Sequence, residues 1–411
     1  MNATRLILGD CLLVLPALAE GSVDAVCTDP PASISFMGRD WDSDRGGRVQ
    51  WIAWLARVMV ECLRVLKPGG YALVWAIPRR SHWTALALED AGFFIVDRIA
   101  HLFGQGFPKG RGCLKPACED WWLVRRPGPR VLPLPGLDGC RVAGAVPQVT
   151  QGVTRAAADG QAIYGGGHGV GRAPQESNPH PAGRWPANLV LSCACDGEHG
   201  PDCPVRLLDE QSGTLTSGKP AGTRRARYAF GSSKENGTLL TGFGDSGGAS
   251  RFFYCAKASR AEREAGLAGL AEKVGGLLNN GAIADIKRGK LPDPGEAVHG
   301  AHGKSTRIGV GVLARNTHPT VKPLALVRWL VRLITPPDGL CLDPFLGSGT
   351  TAVACTIEGF RCLGIERESE YLEIARRRLA DAEREEAEML FPAAGAWSEP
   401  EPEPSLFDEA P

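Results

Sequence analysis

Leu342-Asp343-Pro344-Phe345-Leu346-Gly347-Ser348-Gly349-Thr350-Thr351 reads as a buried strand, a glycine turn and the first turn of a helix. In a doubly wound α/β sheet such a junction lets backbone N–H groups approach a nucleotide-like ligand, because glycine places no side chain in the way. The apolar run Leu340 to Phe345 has strand length, and Thr350 to Glu358 follows as a helix. The next strand, Arg361 to Glu366, ends in Gly364-Ile365-Glu366, an acid placed to accept ribose hydroxyls. A turn of this kind normally opens its domain, yet here it lies near the end of a chain of 411 residues. The other half of the site is therefore expected upstream.

Working outward, Thr28-Asp29-Pro30-Pro31 closes the strand Val23 to Thr28, and the two prolines remove donors and stiffen the backbone around the Asp29 carboxylate. Strands are also expected at Arg5 to Gly9, Tyr71 to Ala76, Phe93 to Phe103 and Trp121 to Val124. Helices are expected at Trp51 to Leu66, Ser81 to Asp90, Leu324 to Ile334 and Tyr371 to Glu388. Lys67-Pro68-Gly69-Gly70 reads as a break between helix and strand. Short strands alternating with helices imply an α/β fold with a doubly wound, mostly parallel, Rossmann-like sheet. The glycine turn is neither a Gly-x-Gly-x-x-Gly nicotinamide fingerprint nor a phosphate loop with Gly-Lys-Ser/Thr. A cofactor with adenosine and an amino-acid end but no pyrophosphate fits better, which describes S-adenosyl-L-methionine.

In this order, Gly9-Asp10, Thr28-Asp29-Pro30-Pro31, Leu66-Lys67-Pro68-Gly69-Gly70, His318-Pro319-Thr320-Val321-Lys322-Pro323, the 342–351 turn and Gly364-Ile365-Glu366 resemble the permuted β class of amino-methylating DNA methyltransferases, which act on adenine N6 or cytosine N4. The resemblance covers roughly residues 5–127 and 316–380. It implies a catalytic half at 1–127, a loop-rich target-recognition insert at 128–315, a cofactor-binding half at 316–390 and an acidic disordered tail at 391–411. It also implies catalytic Asp29, Pro30 and Pro31, with Asp10 near the cofactor adenine and Glu366 on the ribose. His318, Thr320, Lys322 and Gly347 would lie at the methionine end, near Asp343, Phe345, Ser348, Gly349 and Thr350. Asp as the first motif residue favours adenine N6, acting on a base flipped out of double-stranded DNA, with cytosine N4 as the alternative. One residue departs from the pattern: Ala32 stands where the family usually has an aromatic that stacks on the base. Phe36 or Trp41 is expected to supply that ring; otherwise the chain is a weakly active or inactive DNA-binding member. The resemblance leaves room for a homodimer and for a cognate restriction nuclease, although no nuclease constellation is evident in this chain.

Lysine and arginine balance aspartate and glutamate at 46 each, but ten acidic residues and one arginine follow residue 380, so the remainder is +9. A basic body suits a polyanionic partner. Arg224, Arg225 and Arg227, beside Tyr228 and Phe230, form the basic-aromatic cluster of the insert best suited to DNA phosphates. The absence of a long apolar run or leader implies a soluble, cytoplasmic protein. Most of the thirteen cysteines sit singly in apolar runs, as reduced core residues do. Cys193-x-Cys195-x3-His199-x3-Cys203 clusters four soft ligands that could close a structural zinc site, but the spacing matches no standard finger and unliganded cysteines are the expectation. Leu406-Phe407, in the acidic tail, faintly resembles a replication-clamp-binding peptide.

Overall fold

Alternating burial along two neighbouring strands sets the architecture. In the stretch Leu66–Ala76, Leu73 and Trp75 join one apolar cluster while Ala72 and Val74 join another. In Val23–Thr28, Ala25 and Cys27 join the first and Val26 the second. A sheet buried on both faces needs helices on both, and the chain supplies them. The computed structural model describes residues 4–36, 39–103, 114, 116–128, 133–141, 185–193, 199–201, 203–216, 246–248, 250, 260–275 and 312–390.

The main sheet holds β1 (Arg5–Leu8), β2 (Val23–Thr28), β3 (Leu66–Ala76), β4 (Phe94–Phe103), β5 (Cys118–Arg125), β6 (Leu189–Ser192), β11 (Leu340–Asp343) and β12 (Arg361–Glu366). Between β6 and β11 come two short ladders, β7 (Leu215–Thr216) with β8 (Ser246–Gly247) and β9 (Lys273–Gly275) with β10 (Val312–Ala314). The main order is β1-β12-β11-β2-β3-β5-β4-β6. Pairing is parallel from β1 through β3, antiparallel on both sides of β5, and parallel again between β4 and β6. This is the expected α/β, mostly parallel sheet. Strand order reverses between β11 and β2, so the crevice beyond their carboxyl ends is where such a sheet binds ligands.

The helices are α1 (Cys11–Val14), α2 (Arg48–Val65), α3 (Ser81–Asp90), α4 (Pro204–Ser212), α5 (Arg260–Glu264), α6 (Leu324–Ile334), α7 (Thr350–Ile357) and α8 (Ser369–Leu390). On one face, Trp51, Leu55, Val58, Met59 and Cys62 of α2 recur at helical spacing and pack with Leu88 of α3. On the other, Leu326, Val327, Leu330, Val331 and Ile334 of α6 pack with Ala352 and Cys355 of α7 and Leu372 and Ala375 of α8.

Two local readings change. The expected break at Lys67-Pro68-Gly69-Gly70 lies inside β3, as a bulge between the Val23–Leu66 and Ala25–Tyr71 pairs. Gly69 takes a positive φ of 80°, and Arg126 bonds the bulge through Gly69 N–H and Gly70 O. Within the stretch expected to form the insert, β6 extends the main sheet, with Ser192 beside Phe103, and Cys140 packs into the core that α6 builds.

The glycine turn is held from α8. Arg378, only 3% exposed, donates to Ser348 O at 2.8 Å and Thr350 Oγ1 at 3.1 Å. Burial pulls its guanidinium down to about 10. Gly349 caps α7 with φ 83°, and a Cβ there would stand 2.8 Å from the Ala375 Cβ. Left-handed strain and overpacking then act together, so Gly349→Ala is expected to cost about 2–4 kcal/mol. The check is urea denaturation: the midpoint should fall at an unchanged slope.

Candidate active site

A cavity of roughly 520 Å3 opens along the carboxyl ends of the parallel strands. At one end it is lined by Asp10, which follows β1, and by Glu366, which closes β12. In the middle lie Asp343, ending β11, and Asp29-Pro30-Pro31, following β2. At the other end lie Trp75 of β3, Glu119 of β5, His101 and Phe103 of β4, and Ser192 of β6. The pieces read as two halves of a site therefore line one chamber, and Phe36, Trp41, His318, Thr320, Lys322, Phe345, Gly347, Ser348 and Thr350 share its wall.

The halves meet inside the chamber at an ion pair. Lys322 Nζ donates to Asp29 Oδ2 at 2.6 Å, across 293 positions of sequence, with the two side chains 11% and 23% exposed. The same ammonium sits 4.0 Å from the centre of the Trp75 ring, where the aromatic face attracts a cation. Desolvation raises the Asp29 carboxyl to about 6; Lys322 opposes the rise, while Glu119 and Asp343 add to it. Burial works against ionising Glu119 too, but Lys322 and His101 outweigh it and hold that carboxyl down at about 2. Lys322 thus serves two carboxylates of different character: Glu119 is firmly ionised, and Asp29 is poised near neutrality. His101 fixes the far wall, with Nε2 2.8 Å from Ser192 Oγ and Nδ1 3.6 Å from Glu119.

At the opposite end the glycine turn and β12 lock together. Glu366 accepts from Gly347 N–H and from Glu368 N–H, both at 2.7 Å, and burial raises its carboxyl to about 7. Gly347 has φ 56°, and a Cβ there would meet His318 Nε2 at 2.8 Å, so only glycine admits the imidazole. Burial, with Lys322, Arg378 and Arg39 adding, pushes His318 down to about 3 and leaves it neutral. Its Nδ1 accepts from Thr320 N–H at 3.4 Å. Asp343 ties the two halves a second time, accepting from Thr28 Oγ1 at 2.7 Å and Phe345 N–H at 3.0 Å. Asp10 caps α1 by accepting from Leu12 N–H at 2.9 Å.

The loop after Asp29-Pro30-Pro31 winds around a buried carboxylate that sequence reasoning missed. Asp42, 1% exposed, accepts from Ser33 N–H (2.7 Å), Ile34 N–H (3.2 Å) and Phe36 N–H (2.7 Å). Ser33 and Ser35 take positive φ of 60° and 51°, a strain these bonds and the donation from Arg80 to Ser33 compensate. Ala32 packs against the core and, like Phe36, lines the cavity. Trp41 lies nearly parallel to His318, 6.2 Å between ring centres and 11° between planes. Asp42, Arg80, Glu119 and Arg378 lie in no recognisable sequence pattern; only tertiary contacts give them their roles.

Arg224, Arg225 and Arg227 of the basic cluster, Cys195, and Leu406 and Phe407 of the tail lie outside the described residues. Among the described residues no helix is long and apolar enough to cross a membrane.

An open, mostly parallel sheet with a glycine turn, an acid at the next strand tip and an Asp-Pro-Pro strand end in one chamber defines a methyltransferase-like α/β domain. The family model described as DNA methylase, for N6 and N4 amino-methylating enzymes, matches residues 23–139 and 231–377, and the chain belongs to that family. Among curated relatives, the type II methyltransferase M2.MboI of Moraxella bovis is 42% identical over 71 residues, 17% of this chain and 26% of that protein. M2.DpnII of Streptococcus pneumoniae is 48% identical over 68 residues, 16% and 25%. The DNA adenine methyltransferase YhdJ of Escherichia coli (strain K12) is 41% identical over 73 residues, 18% and 25%. These matches span about a quarter of each relative. A solved structure of the cytosine-N4-specific PvuII DNA methyltransferase aligns over 95% of this chain and 94% of its own at 13% identity, with a TM-score of 0.45.

The Asp29 environment is measurable without a substrate. Carbon-detected NMR of the carboxyl should show titration near pH 6, and Lys322→Met should move it to higher pH, since the ammonium is what opposes the rise. An ordinary value of about 4 in the parent chain would contradict the desolvation.

Proposed function

We propose that this chain transfers the methyl group of S-adenosyl-L-methionine to the exocyclic N6 of adenine in double-stranded DNA, on a base flipped out of the duplex. The observation that carries the reading is the 2.6 Å Asp29–Lys322 contact, which brings the Asp-Pro-Pro strand end against the cofactor half inside one cavity.

The cofactor end fits the group by its donor set. Glu366 uses two acceptor positions on backbone N–H groups and, with about four lone-pair sites, keeps room for a ribose diol. Gly347, beside neutral His318, leaves a side-chain-free surface, and Asp10 and Phe345 line the adjoining wall. S-adenosylmethionine supplies an electrophilic methyl group when bound. The residues that would hold it are Asp10, Glu366, Gly347, Ser348 and His318.

The amino group of a stacked base is out of reach, so the base must leave the helix. Asp29, with its neighbouring prolines lacking N–H groups, offers acceptors to the two N–H bonds of an exocyclic amine, which orients the nitrogen lone pair toward the methyl group. As methylation makes the nitrogen cationic, it sheds a proton, and Asp29, poised near neutrality, can take it. Lys322 holds Asp29 in place and keeps it ionised more often than burial alone would allow. Asp opening the motif supports adenine over cytosine N4. Phe36 or Trp41 is the ring that replaces the aromatic missing at Ala32: Asp42 anchors the Phe36 backbone at the cavity wall, and Trp41 lines the same cavity beside His318.

Mass spectrometry of nucleosides from DNA of cells expressing the chain should detect N6-methyladenine. N4-methylcytosine instead would reassign the base, and neither modification would leave a DNA-binding role without transfer. In vitro, Asp29→Ala should lower transfer on the order of 100-fold or more. Removing the stacking ring, by Phe36→Ala or by Trp41→Ala, should lower it roughly 5- to 150-fold, equivalent to about 1–3 kcal/mol of stacking. Because the ionised carboxylate is the acceptor, kcat/KM should fall as pH drops through about 6.

A further inference from the structure

Outside the cavity, the described residues hold one cluster of soft metal ligands: Cys193, His199 and Cys203, whose ligand atoms all lie within 4.8 Å of one another. Both sulfurs converge on a single nitrogen. Cys193 Sγ lies 3.5 Å from His199 Nδ1, and Cys203 Sγ lies 3.4 Å from the same atom. Around a tetrahedral zinc with Zn–S of about 2.3 Å and Zn–N of about 2.0–2.1 Å, a ligand sulfur and nitrogen stand ~3.6 Å apart. The observed sulfur–nitrogen spacings match those of three ligands around one tetrahedral ion.

The setting also fits a structural metal. Cys193 directly follows β6, an edge strand of the main sheet, and Cys203 is the residue before α4. Around them Leu191 and Val205, with Leu102 and Leu208 at the edge, form a small apolar cluster detached from the two main ones. So small a core is a weak tether for a segment rich in glycine and proline, and metal clips supply what such cores lack. The cysteines are 2% and 5% exposed and neither is in a disulfide.

We propose that Cys193, His199 and Cys203 bind a structural zinc ion that pins the start of α4 to the end of β6. The fourth coordination position belongs to a ligand beyond these three. Such a clip would also steady the far wall of the cavity, because Ser192, one residue before Cys193, holds the His101 ring at 2.8 Å. α4 in turn carries Asp209, which accepts from Ser250 N–H at 2.8 Å and Ser250 Oγ at 2.6 Å, so the metal would anchor a longer stretch than the segment 193–203 it joins.

The full-length protein, purified with a tag free of histidine and with no metal added, should carry about one zinc per chain by elemental mass spectrometry. Cys193→Ser and Cys203→Ser should each lower that content severalfold, whereas Cys140→Ser, a buried cysteine packed by α6, should leave it unchanged. Should the serine variants fail to fold, cobalt substitution in the parent chain decides. Intense visible ligand-field bands with sulfur-to-cobalt charge transfer support the site. Parent protein that carries well under one zinc and shows no tetrahedral cobalt spectrum on titration overturns it.

Discussion

The site depends on one partly buried contact, the hydrogen-bonded ion pair between Lys322 and Asp29. Two charges are costly to bring together in a pocket unless each satisfies the other, so the pair holds only while both halves of the chain are in place. The sheet makes this possible. Strand β2 lies directly against β11, and the reversal of strand order between them opens the crevice into which both residues project. The Trp75 ring beneath the ammonium and Glu119 beyond it complete the cation's surroundings.

Buried carboxylates organise the rest by taking backbone donors. Asp42 gathers three N–H groups of the loop after the prolines, Glu366 holds Gly347, and Asp343 bridges Thr28 to Phe345. Arg378 does the converse for the Ser348 carbonyl. Each supplies a partner to a strained or turning backbone that would otherwise be buried unpaired, at a cost of about 1–3 kcal/mol per group. The surfaces facing the cavity are thereby fixed before any ligand arrives, which is the condition for electrostatic positioning to contribute to rate.

Much of the fold was legible because its signals are local. Val23–Thr28, Ser81–Asp90, Leu324–Ile334 and Arg361–Glu366 have the bounds their periodicity indicates. Glycine turn, acid and Asp-Pro-Pro were legible as a set because each has a backbone reason for its residue types. Less legible were features created by distant partners. Lys67-Pro68-Gly69-Gly70 reads as a break, yet neighbouring backbone at Arg126 completes it as a bulge. The strand Leu189–Ser192 is only four residues in a glycine- and proline-rich stretch and takes its identity from β4. That Lys322 would meet Asp29, rather than only the cofactor, required the sheet order, which no local pattern encodes.

The central claim is that Asp29 and Lys322 act as one unit. A double-mutant cycle on single-turnover methyl transfer tests it, comparing Asp29→Ala, Lys322→Met and the double variant at saturating cofactor and at a pH above the Asp29 titration. If the residues act together, the double variant is no slower than Asp29→Ala alone, because Lys322 works through the carboxylate already removed. If the double variant loses the product of the two single losses, the residues act independently and the account is contradicted.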